Sequence, residues 1–370
     1  MSEHRIHVDF PGRLVIVGFG CIGQGLLPLI RRHIDIAPAM ITVVAASAEG
    51  DAVAALAGVR LLPHVLRPDN YRQVLDPLLD HGDFLLNVAV DVSSLALIDY
   101  AQARGALYLD TSIEPWPGGY DDPALPLAAR TNYALREQAL ARRMDSPERP
   151  TAVLTHGANP GWVSHLVKQA LLDIARDGGR AAGAPADRAG WARLARSLNV
   201  RVIQIAERDW QLADSRKRVG EFVNTWSVDG FIGEGSQPAE LGWGSHERHF
   251  PSDARRHGYG CEAAIYLERP GAATRVRSWT PLAGPMHAFL ITHGEAISIA
   301  DYLTVGAGIQ PEYRPTCHYA YHPCDDAVLS LHELAAREWR HQDSKRIIRE
   351  EAEGVDELGV LLMGHPRGAY

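Results

Sequence analysis

Residues 13–25 read R-L-V-I-V-G-F-G-C-I-G-Q-G, and this stretch decides the fold. Leu14 to Val17 is a short apolar run of the kind that forms a strand buried on both faces. Gly18, Gly20 and Gly23 follow at G-x-G-x-x-G spacing, and the apolar-periodic segment to about Arg32 reads as a helix. In such a turn the first glycine permits the tight bend and the second lets a pyrophosphate approach the backbone. The third lets the helix pack closely on the strand. The helix N-terminus adds free N–H groups and a positive dipole. A glycine pattern alone is weak evidence. Between a strand and a helix it reads as a dinucleotide site, with Gly18, Gly20, Cys21, Ile22 and Gly23 against the cofactor.

Working outward, Ile41 to Ala46 is the second strand, and its end reads Val44-Ala45-Ala46-Ser47. A dinucleotide fold often has Asp or Glu there to accept the ribose hydroxyls. Ala45 takes that place here, which leaves Ser47 or Glu49 to substitute. No Arg stands beside it for a 2′-phosphate, so NAD is expected over NADP. Tyr71 to Leu79 reads as helix and Asp83 to Val90 as strand, followed by a helix cap within Asp91-Val92-Ser93-Ser94. Ala106 to Asp110 is the next strand and runs into T-S-I-E-P-W. Alternating strands and helices predict an α/β fold with a Rossmann-type, doubly wound parallel sheet, whose ligands lie beyond the carboxyl ends of the strands. Asp91 and Glu114 fall just past strand ends, on the cofactor side, and Val90, the last residue of its strand, is expected against the cofactor with Asp91.

At 370 residues the chain is too long for one ordinary core. The expected division is a dinucleotide-binding domain over 1–148, a second α/β domain with a mixed sheet over 149–312, and a segment over 313–370 returning to the first domain. Arg130 to Arg143 reads as an amphipathic helix. Ala152 to Thr155 is a strand leading into H-G-A-N-P-G and a helix from Trp162. Val200 to Glu207, Glu221 to Val228 and Ala263 to Glu268 read as strands of the second sheet, with Trp226, Glu234, Gln237, Glu240 and Trp243 in its loops. No apolar run approaches membrane-spanning length, and the polar N-terminus does not read as a secretion signal. Four cysteines in so long a chain make no disulfide framework and suit a reducing, cytoplasmic setting. A net charge of -8 argues against a general nucleic-acid binder and leaves room for a cationic ligand.

Glu207, Asp209, Asp229, Glu234 and Glu240 gather around two tryptophans in a short span. Carboxylates beside aromatic faces suit an ammonium ligand, pairing with its charge while the rings add cation–π attraction. On spacing alone the ordinary alternative is the default: these acids are solvated or pair with Arg208 and Arg248. The run C-H-Y-A-Y-H-P-C, with Cys317, His318, His322 and Cys324, invites a zinc reading. It lacks the C-x-x-C and zinc-peptidase patterns, so a structural turn is expected and no metal. His293 after an apolar run is either a proton-transfer group or a packed histidine, and Asn159 either a ligand contact or a cap. No G-x-S-x-G elbow accompanies the serines, which excludes the usual nucleophilic hydrolase.

Taken together, V-G-F-G-C-I-G-Q-G, E-P-W, N-Y-A-L-R-E, G-A-N-P-G-W-V-S, A-E-R-D, N-T-W-S-V-D-G-F, P-A-E-L-G-W-G, R-V-R-S-W-T-P, Y-R-P-T-C-H-Y-A-Y-H-P-C and V-D-E-L-G-V-L-L resemble the bacterial homospermidine synthases over nearly the whole chain. The resemblance implies a saccharopine dehydrogenase-like fold, a homodimer, and tightly held NAD. It also implies a redox-neutral transfer from putrescine (or spermidine) to putrescine through Schiff-base intermediates. By motif it makes Glu207 and Glu234 the carboxylates that hold and deprotonate substrate amines, and Trp226 the aromatic face for cationic intermediates. It further implies that Asn159 is a polar substrate contact, Glu114 an acid of the inner site, His293 a site histidine, and Asp91 and Asp356 further acids near the diamine.

Two departures accompany the resemblance: Ala45 replaces the acid at the second strand end, and family members continue for roughly a further hundred residues. The rival readings are a saccharopine- or carboxynorspermidine-dehydrogenase-like enzyme with net NAD(P)H turnover, and an inactive NAD-binding paralogue. The first would need a basic cluster for a substrate carboxylate, where this chain gathers acids.

Overall fold

A computed structural model describes residues 4–120, 122–143, 148–180, 183–348 and 353–364. The chain divides into two compact units, one of residues 1–119 with 138–157 and the other of 120–137 with 158–370.

The first unit holds a six-stranded sheet: β1 (Leu14–Val17), β2 (Ile41–Ala45), β3 (Arg60–Pro63), β4 (Phe84–Asn87), β5 (Leu107–Asp110) and β6 (Ala152–Val153). Every pairing is parallel and the spatial order is β3-β2-β1-β4-β5-β6, the doubly wound arrangement expected from the sequence. All four β1 residues are buried. Leu14 and Ile16 join one apolar cluster and Val15 and Val17 another, so alternate residues serve the two faces of the sheet. Burying each such side chain contributes about 1.5–3 kcal/mol. Helices α1 (Cys21–His33), α2 (Asp51–Ala57), α3 (Tyr71–Leu75) and α4 (Ser94–Arg104) lie between the strands in the chain. The Ser93 hydroxyl caps α4 by accepting the Ala96 N–H at 3.3 Å. The strand expected over 83–90 is shorter, because the Asn87 side-chain oxygen takes the Ala89 N–H at 3.2 Å and turns the chain.

In the second unit the helices are α5 (Asn132–Leu140, its last turn counted with the first unit), α6 (Trp162–Asp177), α7 (Arg188–Ser197), α8 (Val228–Ser236), α9 (Gly294–Tyr302) and α10 (Asp325–Ala336). Its strands are β7 (Val200–Asp209), β8 (Glu221–Asn224), β9 (Pro238–Gly242), β10 (Ala254–Arg256), β11 (Ala264–Pro270), β12 (Arg275–Thr280), β13 (Gly284–Ile291), β14 (Thr316–His322), β15 (Ser344–Ile347) and β16 (Asp356–Gly364). Eight of them form one mixed sheet, while β8 and β15 pair separately.

Three expectations are corrected here. The C-H-Y-A-Y-H-P-C run is no turn: it contains β14, a strand deep in the sheet, parallel to β7 on one edge and antiparallel to β13 on the other. The segment from 313 does not return to the first unit, because β14 and β16 both flank β7 within the second sheet. The strand expected over 221–228 ends at Asn224, and Ser227 opens α8 instead by accepting the Gly230 N–H at 3.1 Å. Glu234 therefore stands on a helix and Glu240 on a strand, not in loops.

Candidate active site

At the carboxyl end of β1, Gly18 takes φ +94°, and a Cβ there would sit 2.7 Å from the Ala89 backbone. Only glycine meets both conditions. Gly20 immediately precedes α1, no side chain caps that helix, and a Cβ on Gly20 would meet nothing within 4 Å. The turn is thus open at a helix N-terminus that no side chain caps, which fits a pyrophosphate. Cys21 and Ile22 are exposed beside it, and Gly23 is buried. Ser47 and Val90, also exposed, follow the ends of β2 and β4. The expected cofactor residues accordingly line the carboxyl edge of the sheet, the place a dinucleotide takes in this fold.

The first unit also carries three neighbouring carboxyls at that edge. Glu114 is buried, its carboxylate receives the Ser112 hydroxyl at 3.1 Å, and its backbone is tied to Ser94. Burial pushes its pKa up to about 8, with the charges of Asp91 and Asp110 adding to the rise. Asp91, exposed with φ 63°, and Glu114 are therefore brought together as the sequence suggested. Asp110 was not singled out. Fully buried at the end of β5, it accepts the Tyr108 hydroxyl at 2.8 Å and the Thr155 N–H at 2.6 Å, and burial raises its pKa to about 6.

The second unit assembles an acid and aromatic cluster, and strand register explains how. Side chains two apart on a strand share a face, and residues paired across strands share it too. Glu207 on β7 pairs with Tyr321 of β14 on one side and Leu358 of β16 on the other, while Asp209 pairs with Asp356. Glu207, Asp209, Tyr319, Tyr321 and Asp356 hence point to one face. Arg208 points to the other, where it meets His322 and Asp325.

Glu207 Oε2 receives the Asn159 side-chain N–H at 2.6 Å and the Tyr319 hydroxyl at 2.8 Å. Burial first, and the Asp356 charge second, push its pKa up to about 8. Asp356 is raised as well, by burial and by Asp209. Asn159 Oδ1 is buried and has no hydrogen-bond partner among the described residues. Trp226, half-buried, donates its indole N–H to the Tyr321 hydroxyl at 3.3 Å and packs its ring against Phe231. The charge of Glu234, partly buried on α8, bears on Tyr319. His293, at the N-terminus of α9, lies buried with its ring 4.6 Å from that of Tyr319. Burial drops its pKa to about 4, so the ring is neutral at physiological pH, and Nδ1 has no partner among the described residues.

Other residues of the expected acid group lie elsewhere in bonding terms. Asp229 is exposed and ion-paired with Lys345. Glu240 is wholly buried, and its carboxylate accepts the Asn132 N–H at 2.7 Å, the Tyr133 N–H at 3.3 Å and the Thr292 hydroxyl at 2.7 Å. It secures the start of α5. Among the described residues no group of three or more His, Cys, Asp or Glu is placed to hold a metal. His318 is packed on the far face of β14 from Tyr319, and burial lowers its pKa to about 4.

Residues 14–153 match the model of the saccharopine dehydrogenase NADP binding domain, and residues 157–370 that of the saccharopine dehydrogenase C-terminal domain. A homospermidine synthase of Blastochloris viridis is 52% identical over all of this chain and 79% of its own length. One from Mesorhizobium japonicum is 46% identical over 99% of this chain and 77% of its own. The crystal structure of a homospermidine synthase from Legionella pneumophila, in complex with NAD, superposes with a TM-score of 0.88 at 48% identity, covering 97% of this chain and 76% of that one. No helix among the described residues is long and apolar enough to cross a membrane.

Proposed function

Because the chain belongs to the homospermidine synthase family, we propose that it joins two putrescines into sym-homospermidine with release of ammonia, using NAD held at Gly18, Gly20, Cys21, Ile22, Gly23, Ser47, Val90 and Asp91. The observation that carries the reading is the Glu207–Asn159 pair. A half-buried carboxylate, and beside it a buried amide oxygen that lacks any donor among the described residues, await a cation with several N–H groups beside an indole face. Bound NAD supplies the hydride chemistry, oxidising the amine-bearing carbon and later reducing the new Schiff base.

The chain's residues supply the rest. Glu207, raised toward neutrality, accepts a proton from the substrate ammonium and leaves a free amine. Asn159 orients that amine through Oδ1, and Trp226 faces the cationic carbon. Glu234 and Asp356 balance the charge of the diamine, and by the family resemblance Glu114 and Asp91 are further acids of the reaction. His293 stays neutral and fills a buried position against Tyr319, where it excludes water. The reading extends to a homodimer in a reducing cytoplasm, with donor spermidine accepted in place of putrescine. Its four cysteines are free thiols.

Mass spectrometry after incubation with putrescine and catalytic NAD⁺ tests the reading. Homospermidine and ammonia should form in equal amounts with no net NADH. Accumulating NADH with an aldehyde product would mean a plain amine dehydrogenase. Bound NAD without product would mean an inactive paralogue.

A pH dependence follows from the same group. Glu207 must be ionised to accept a proton, and its pKa lies near 8. In kcat/KM for putrescine, activity should fall about tenfold per pH unit below that value and level off above it. No inflection should arise from His293, already neutral above about 4. A profile flat from pH 6 to pH 9 (roughly the range spanned by ordinary and raised carboxyls and histidine) would remove Glu207 as the acceptor.

A further inference from the structure

We propose that Tyr319 and Tyr321 are positioning residues that hold the proton-accepting carboxylate and the aromatic face of the site in register. The inference rests on the function proposed above and adds two residues to it. Both lie on β14, two apart, with rings stacked at 5.6 Å and 11°. Tyr319 donates to Glu207 Oε2 at 2.8 Å, and Tyr321 accepts the Trp226 indole N–H at 3.3 Å. Glu207 sits on β7 and Trp226 in the turn before α8; the Thr225 hydroxyl ties that turn to Asp209 of β7 at 2.6 Å, and the two tyrosines of β14 bond the Glu207 carboxylate and the indole themselves.

β14 suits this task because it is paired on both edges, over 316–322 to β7 and over 319–321 to β13. Phenylalanine would fill the same volume in the apolar cluster that both rings join. The hydroxyls answer a polar need, since a buried phenol without a partner is costly. The groups that bear on the pair are Glu207, Glu234, Asp209, Asp356, Asn159, Trp226 and His293. Among them the donation from Tyr319 favours the charged form of Glu207, against the opposing influence of burial and Asp356.

The test has two arms. Infrared difference titration follows the protonated-carboxyl stretch that Glu207→Gln abolishes. Tyr319→Phe should move its midpoint up by about one pH unit, and kcat/KM should recover toward the wild-type level once the pH is raised by the same amount. In the second arm, Tyr321→Phe should raise KM for putrescine about fivefold with kcat little changed. The same substitution made in Trp226→Phe, which has no indole N–H, should add nothing. A residue that merely packed would produce neither the alkaline recovery nor the dependence on Trp226.

An unmoved midpoint overturns the role of Tyr319, and an equal penalty in both backgrounds overturns that of Tyr321. Should Tyr319→Phe fail to fold, the Tyr321 cycle decides. A wild type that makes no homospermidine while Tyr319→Phe still shifts the infrared midpoint would sink the proposed function and leave the positioning intact.

Discussion

Glu207→Gln should lower kcat for homospermidine formation about a thousandfold at pH 8–9 (roughly the range above its raised pKa), while the protein remains folded. Glutamine keeps the shape and an oxygen for the Asn159 and Tyr319 donors, but it accepts no proton. General-base removal costs on the order of 10²–10⁴. The lost carboxylate should also raise KM, since an ammonium then meets only Asn159 Oδ1 and the indole.

Stability should move the opposite way. Burial lifts Glu207 from its ordinary 4.5 to about 8, so the folded state holds more proton than the unfolded one between those values. Stability from this group therefore falls as pH rises through that window, and a neutral glutamine removes the loss. At pH 8 or above (about the folded value) the melting temperature of Glu207→Gln should equal or exceed that of the wild type. Calorimetry and product quantification together decide. A variant within threefold of wild-type kcat (about 0.6 kcal/mol) would end the claim that Glu207 moves the proton.

The residues behind this expectation were unevenly legible in the sequence. The first sheet could be read because its signals are local: β1, the glycine turn and α1 are contiguous, and the strand order follows from alternation with helices. The second sheet depends on distant pairings that no local pattern announces. Glu207 meets Tyr319 from 112 residues away along the chain. The A-E-R-D run does show by its alternation that Glu207 and Asp209 share a face and Arg208 does not. The same alternation in C-H-Y-A-Y-H places Cys317, Tyr319 and Tyr321 on one side of a strand. That signal was present but was masked by cysteine and histidine, residue types that suggest a metal or a turn. Glu240 misled for a different reason. An acid between apolar neighbours resembles a ligand group, yet here it accepts the N–H groups at the start of α5. Motif resemblance supplied the roles proposed for Asn159, Glu234 and Asp356, which no spacing reveals.

Trp226→Ala should lower kcat/KM by on the order of a hundredfold, whereas Trp226→Phe should lose only several-fold. A desolvated cation–π contact is worth about 2 kcal/mol or more, near thirtyfold, and removing the indole also takes away its packing on Phe231 and its hydrogen bond to Tyr321. Phenylalanine keeps an aromatic face with a weaker quadrupole and gives up the hydrogen bond to Tyr321. Truncation confounds the reading, since replacing a packed Trp by Ala costs about 3–5 kcal/mol of stability. Trp226→Leu separates the two effects, because leucine restores apolar bulk without any π face. If the indole acts through its electrons, Leu should follow Ala in kcat/KM while recovering part of the lost melting temperature. If Leu instead matches Phe, packing alone accounts for Trp226, and the cationic intermediate must be balanced by Glu207, Glu234 and Asp356.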